Sequence, residues 1–163
     1  MTGPRRLSQA ISEGDGISLI VAVSGPEEAQ QAEASGAEAV LAEGDIEAIR
    51  TACALPILTS AGLGGDARLV RPGDADVELG DGVELVVQVA SEEELEEALE
   101  RLDPELLVLT ARDDEAPVEH VLELLADVPA GKLAIADVGA VSQVDLDELE
   151  RAGVDAVLVR DSA

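Results

Sequence analysis

Short apolar runs recur along this chain, each led in by a helical segment and a turn, and that alternation restricts the possible folds more than any single motif. The stretch "AGVDAVLVRDS" (152–162) has the form of a helix end stopped at Gly153, a short apolar run and a polar tip. "ASGAEAVLAEG" (34–44) repeats the grammar around Gly36, and "PGDADVELGDG" (72–82) is a weaker copy. One supersecondary unit repeated at a near-regular spacing points to a fold assembled from copies of that unit.

Marking the apolar runs gives strands at 17–23, 38–42, 55–59, 75–79, 83–89, 106–110, 132–138 and 155–160. Between them lie helical patterns. "PEEAQQAEAS" opens with Pro26 and acids, as a first helical turn prefers, and closes at Gly36. "DIEAIRTAC" starts on a capping Asp45, and "SEEELEEALERL" pairs Ser91 with Glu94 as a capping box. "PVEHVLELLADV" carries apolar residues at 118, 121, 122, 124 and 125, and "SQVDLDELERAG" stops at Gly153. Strand and helix in alternation mean βαβ units and a parallel sheet. Eight strands in order predict a single α/β domain over 1–163, a compact (β/α)8 barrel with several outer helices shortened or missing; fewer strands would leave a doubly wound open sheet. The link "GDG" between the fourth and fifth runs is too short for a parallel crossover, which normally needs about ten or more residues, so the fourth strand is the weakest assignment.

The composition narrows what such a barrel could serve. No Phe, Tyr or Trp occurs, so the core must be built from Leu, Val, Ile and Ala, and no aromatic platform exists on which bases could stack. Acidic residues number 36 against 10 basic ones, a formal charge of −26. Nucleic acid and anionic membranes both require phosphates to be neutralised by Lys and Arg, so neither is expected as a partner. The acidic excess and the single lysine, Lys132, resemble proteins adapted to high salt, although an acidic protein from a GC-rich genome has the same look. The apolar runs fall far short of the roughly 20 residues of a membrane span, no export signal is legible, and Cys53 has no second cysteine to bond. A cytoplasmic protein is the expectation.

From "RRLSQAISEGDGISLIVAVSGP" through "AQQAEASGAEAVLAEGDIEAIRTACALPILTS", and again through "VELVVQVASEEELEEALERL", "LLVLTARDD" and "KLAIADVGAVSQVDLDELERAGVDAVLV", the chain resembles indole-3-glycerol phosphate synthase, a barrel lyase of tryptophan biosynthesis. That resemblance implies ring closure with loss of CO₂ and water, run by a lysine acid, a glutamate base and phosphate-binding donors at the carboxyl ends of the strands. Most of the residues at those positions differ, with Arg112, Asp113 and Gly139 among those kept. The family's Glu-Val-Lys at the first strand is Ala22-Val23-Ser24 here, and its Arg-Lys-Asp at the third is Thr59-Ser60-Ala61. The fifth strand's Glu is Gln88. Asn-Asn-Arg-Asp at the sixth becomes Thr110-Ala111-Arg112-Asp113, and Glu-Ser-Gly at the seventh becomes Asp137-Val138-Gly139. Where the resemblance implies a Gly and a short phosphate-holding helix after the last strand, the sequence has Arg160 and runs to Ala163, so half of that phosphate site and the last outer helix are expected to be lacking. Lys132 opens its strand, about 20 Å from the carboxyl rim at 3.3 Å per residue, and is not expected to replace the acid.

The candidate site is therefore Asp137, Arg112 and Gln88 as a vestigial catalytic group, with Asp113, Gly139, Arg160 and Ser162 as ligand-binding positions and Asp161 and Glu43 nearby. A small phosphorylated ligand is the expected occupant, with no cofactor and no metal; rim carboxylates could in principle hold Mg²⁺ or Ca²⁺, but a ring of Arg–Asp pairs accounts for them more simply. His120, Cys53 and "GLGGD" (62–66) read as a structural histidine, a core thiol and a plain loop. Weak or no synthase activity follows, with a non-catalytic scaffold or a related phosphosugar enzyme as alternatives. Apolar strand faces at Val83, Leu85 and Val87, or at Val157 and Val159, should need covering by "LSQAI" (7–11) or by a second subunit, which leaves monomer and homo-oligomer both open.

Overall fold

In the computed structural model the described residues are 7, 10–11, 17–59, 65–71, 83–111, 115–129, 131–138 and 142–159. Eight parallel strands close into one barrel in chain order. They are β1 (Ser18–Val23), β2 (Ala39–Ala42), β3 (Ile57–Thr59), β4 (Ala67–Val70), β5 (Glu84–Val89), β6 (Leu106–Thr110), β7 (Leu133–Asp137) and β8 (Ala156–Val159). Among the described residues, these helices lie outside: α1 (Pro26–Ala34), α2 (Ile46–Ala52), α3 (Glu92–Arg101), α4 (Pro117–Leu125) and α5 (Gln143–Ala152). Following the residue pairings once round from Ile20 returns to the first strand's chain at position 12, a stagger of eight residues, the shear of a TIM-type barrel.

Strand alternation decides what fills the centre. Ile20, Leu41, Leu58, Leu69, Val86, Leu106, Val108, Ile135 and Leu158 form one buried cluster with the small residues Ala39, Ala67 and Ala156. Large and small aliphatics in turn pack the interior without an aromatic ring. The alternate positions face outward. Val87, Val89, Leu107, Leu109, Ala134, Ala136 and Val157 pack with Leu95 and Ala98 of α3, Val121 and Leu124 of α4 and Leu149 of α5. A second outer layer joins Val23, Val40, Ala42 and Ile57 to Ala29 and Ala32 of α1 and Ile49 of α2.

The helix punctuation follows the sequence closely. Asp45 and Ser91 accept the N3 amides Ala48 and Glu94. Glu94 does not complete a capping box, however, because its carboxylate accepts the Ala90 N–H at 2.8 Å, one residue before the cap. The reciprocal box forms at α5, between Ser142 and Asp145. Gly36 (φ 99°) and Gly153 (φ 105°) supply the left-handed residues that end α1 and α5, a conformation costly for residues with a Cβ.

Two further expectations differ from the structure. The fourth strand is Ala67–Val70, "ARLV", while 75–79 falls outside the described residues. The link from β4 to β5 then covers 71–83, long enough for the parallel crossover that the "GDG" reading made impossible. The segment "LSQAI" does not cover an outer strand face. Leu7, wholly buried, and Ile11 belong to the interior cluster, and Ser18 Oγ donates to the Ile11 carbonyl at 3.4 Å at the start of β1. These two side chains stopper the amino-terminal mouth of the barrel. Val87 and Val157 are fully buried under helices, whereas Val83, Leu85 and Val159 remain partly exposed.

Candidate functional site at the carboxyl rim

The carboxyl ends of the strands gather the inward positions where a barrel holds its reactive groups. Asp137 is the last residue of β7, on the same face as Ile135 in the interior, and is completely buried. Thr110 ends β6 and pairs with it in register, its Oγ1 donating to Asp137 Oδ2 at 3.3 Å. Gln88 stands half-buried on the inward face of β5, paired with Val108. Ala22 occupies the corresponding place on β1, against the interior cluster. The Asp137 carbonyl also accepts the Ala111 N–H at 2.9 Å, which fixes the chain where it leaves β6.

Of the candidate residues, the structure thus brings Asp137 and Gln88 to one rim. Arg112, Asp113, Gly139, Arg160, Asp161 and Ser162 lie outside the described residues. In sequence Arg112 directly follows the buried Ala111, and Arg160 directly follows Val159. Glu43 follows β2 and is exposed, its N–H donating to Val23 O at 2.9 Å. Thr110, at the place of an Asn in the resemblance, donates to the buried carboxylate. A hydroxyl one register step from an inward acid was the available signal.

The lysine stands at the other end. Lys132 Nζ donates to Asp103 Oδ1 and to the Pro104 carbonyl, each at 2.7 Å, in the turn that precedes β6. Five residue steps of about 3.3 Å separate it from Asp137 along the strand, roughly 16 Å. Its ammonium is held at the amino-terminal rim, away from any ligand at the carboxyl rim.

The remaining singled-out residues are structural. His120 Nε2 lies 2.7 Å from the Ala90 carbonyl and ties α4 to the end of β5. Cys53 is buried in the outer layer and caps α2 through its N–H to Ile49 O. In "GLGGD", a Cβ on Gly65 would sit 2.6 Å from Thr59 Cγ2, so close packing on β3 accounts for that glycine. Among the described residues no group of three or more His, Cys, Asp or Glu side chains is arranged to hold a metal ion, and no helix is long and apolar enough to cross a membrane.

No family model matches the chain. An indole-3-glycerol phosphate synthase from Burkholderia vietnamiensis (strain G4 / LMG 22486) is 28% identical over 137 residues, covering 70% of this chain and 52% of that protein. The chain therefore spans about half the length of this curated relative. Among solved structures, the N-acetylmannosamine-6-phosphate 2-epimerase from Clostridium perfringens superposes with a TM-score of 0.77 at 15% identity, over 98% of this chain and 91% of that one. A cube-shaped, highly porous protein cage designed by fusing symmetric oligomeric domains superposes with a TM-score of 0.69 at 20% identity, over 88% of this chain and 63% of that one. With eight parallel strands closed in order, these likenesses make the chain a TIM-type (β/α)8 barrel.

Proposed function

We propose that this barrel shares descent with indole-3-glycerol phosphate synthase, binds a small phosphorylated ligand at its carboxyl rim, and carries out the lysine-dependent ring closure weakly or not at all. The observation that carries this reading is the placement of the two charged groups that matter. The only lysine in the sequence is clasped by Asp103 and Pro104 at the amino-terminal rim, while the buried acid, Asp137, faces inward at the carboxyl rim. A general acid must lie within hydrogen-bond reach of the atom it protonates, and roughly 16 Å along a strand is far outside that reach. Gln88, at the position of the synthase's glutamate, has an amide that cannot exchange a proton as a carboxylate does.

What the rim offers is an acceptor, Asp137, a hydroxyl, Thr110, and an amide, Gln88, with Arg112 and Arg160 next in sequence to donate to a phosphate. Such a set suits hydroxyl and phosphate groups of a sugar-like ligand. Likeness to the sugar-phosphate epimerase supports a second reading, a live enzyme that moves a proton with Asp137 and anchors phosphate with Arg112. One experiment separates both readings from an active synthase. Purified protein is assayed for indole-3-glycerol phosphate formation from its carboxyphenylamino precursor. Turnover absent or more than tenfold below that of a family synthase is expected, and a rate within tenfold would overturn the proposal.

A further inference from the structure

We propose that the groove outside the barrel between β1, β8 and α1 is a docking site for an amphipathic helix with a basic polar face, supplied by a partner protein. Its floor is apolar. Leu19 and Val21 of β1 and Val159 of β8 point outward and stay partly exposed, whereas outward residues of the same alternation on β5 to β7, such as Val87, Leu107 and Ala136, are fully buried beneath α3 to α5. The cavity over this floor has a volume of about 340 Å³ and is walled on one side by α1. Strand floor and helical wall reproduce the setting in which this same chain seats α3, α4 and α5 on neighbouring strands.

Polar groups on the wall do not converge as a small-molecule site would require. The Glu28 carboxylate accepts both the Ser24 N–H, at 2.7 Å, and the Ser24 hydroxyl, and Ser35 Oγ donates to the Ala32 carbonyl at 3.0 Å. Both serve α1's own ends. Among the polar lining residues that leaves Gln31, and an apolar surface is what remains to be covered.

Charge selects the occupant. Helix α1 carries Glu27, Glu28 and Glu33 and no Lys or Arg. On the other flank α5 holds Asp147, Glu148 and Glu150 against one cation, Arg151, and Glu150 reaches across to accept the Ile17 N–H at the start of β1 at 2.8 Å. A cleft between walls of net negative charge attracts cations. A second copy of this chain would bring another −26 to the contact, which disfavours self-association. A helix with leucines at i, i+3, i+4 and i+7 and lysines elsewhere satisfies floor and walls together.

The test is a titration of ¹⁵N-labelled protein with a synthetic 18-residue peptide of that pattern, in 0.5 M NaCl to screen the general acidic surface. A scrambled peptide of equal composition runs in parallel. The patterned peptide should bind at least tenfold more tightly and shift amides of β1, β8 and α1. Val21→Ser and Val159→Ser, each verified as folded by its melting curve, should each weaken it at least fivefold. Equal binding by the scrambled peptide, shifts spread over the whole acidic surface, or unchanged affinity in both folded variants would overturn the proposal. So would light scattering that shows the protein alone dimerising through this face.

Discussion

The carboxylate of Asp155 accepts the Ala134 N–H at 2.9 Å while the Asp155 N–H donates to the Ala134 carbonyl at 3.0 Å. Asp66 and Ile57 make the same exchange, carboxylate to amide at 2.9 Å and amide to carbonyl at 2.7 Å. In each case an aspartate just before a strand clasps the opening of the strand that precedes it, and in each case Ala-x-Leu-Val follows: Asp66-Ala67-Arg68-Leu69-Val70 and Asp155-Ala156-Val157-Leu158-Val159. Arg50 adds an ion pair to Asp66 at 3.3 Å.

Asp155→Ala should therefore strand the Ala134 amide and lower stability by about 1–3 kcal/mol, the cost of a buried donor left without its partner. Asp66→Ala should cost a similar amount. Urea denaturation measures both, and Asp155→Asn, which keeps an acceptor oxygen, should lose less than Asp155→Ala. Equal losses in the two Asp155 variants would show that shape rather than the acceptor matters.

That clasp also explains what was legible in the sequence. Seven of the eight strands stand within two residues of the apolar runs that announce them, because fully buried parallel strands are continuous aliphatic runs. The fourth strand departs from its apolar run because Arg68 interrupts β4, whereas the equally short β2, β3 and β8 carry no charge. The better signal was the copy of "DAVLV" in "DARLV", masked by the more strand-like "ADVEL" downstream. At the rim, Asp137 and Gln88 could be placed by strand parity alone. The contact of Asp137 with Thr110 depends on the β6–β7 register, which no local pattern encodes.

The stopper at the amino-terminal mouth was legible only as a helix-spaced pair, Leu7 and Ile11, since which core receives such a pair is a tertiary matter. Leu7 is wholly buried in the interior cluster. Leu7→Ala should cost about 2–5 kcal/mol, as large-to-small changes in a packed core do. Val144→Ala, at a side chain 73% exposed on α5, should stay within about 0.5 kcal/mol. A Leu7→Ala melting curve indistinguishable from that of the parent would remove the segment from the core.

Salt should stabilise the fold. A charge of −26 on 16.7 kDa repels itself more in the compact state than in the expanded chain. Screening lengths fall from about 10 Å at 0.1 M to about 3 Å at 1 M salt. The melting midpoint at pH 7 should rise from 0.05 through 0.5 to 2 M NaCl. A flat or falling midpoint would mean that the acidic surface does not limit stability.

Separating the two rims tests the account most directly. Protein labelled with ¹⁵N is titrated with glycerol 3-phosphate in 0.5 M NaCl, alongside Lys132→Met and Asp137→Asn variants. We predict shifts at the amides of Gln88, Thr110 and Asp137, unchanged affinity in Lys132→Met, and at least a fivefold loss in Asp137→Asn. Shifts centred on Lys132 and Asp103, or binding that disappears with Lys132→Met while Asp137→Asn binds normally, would contradict it.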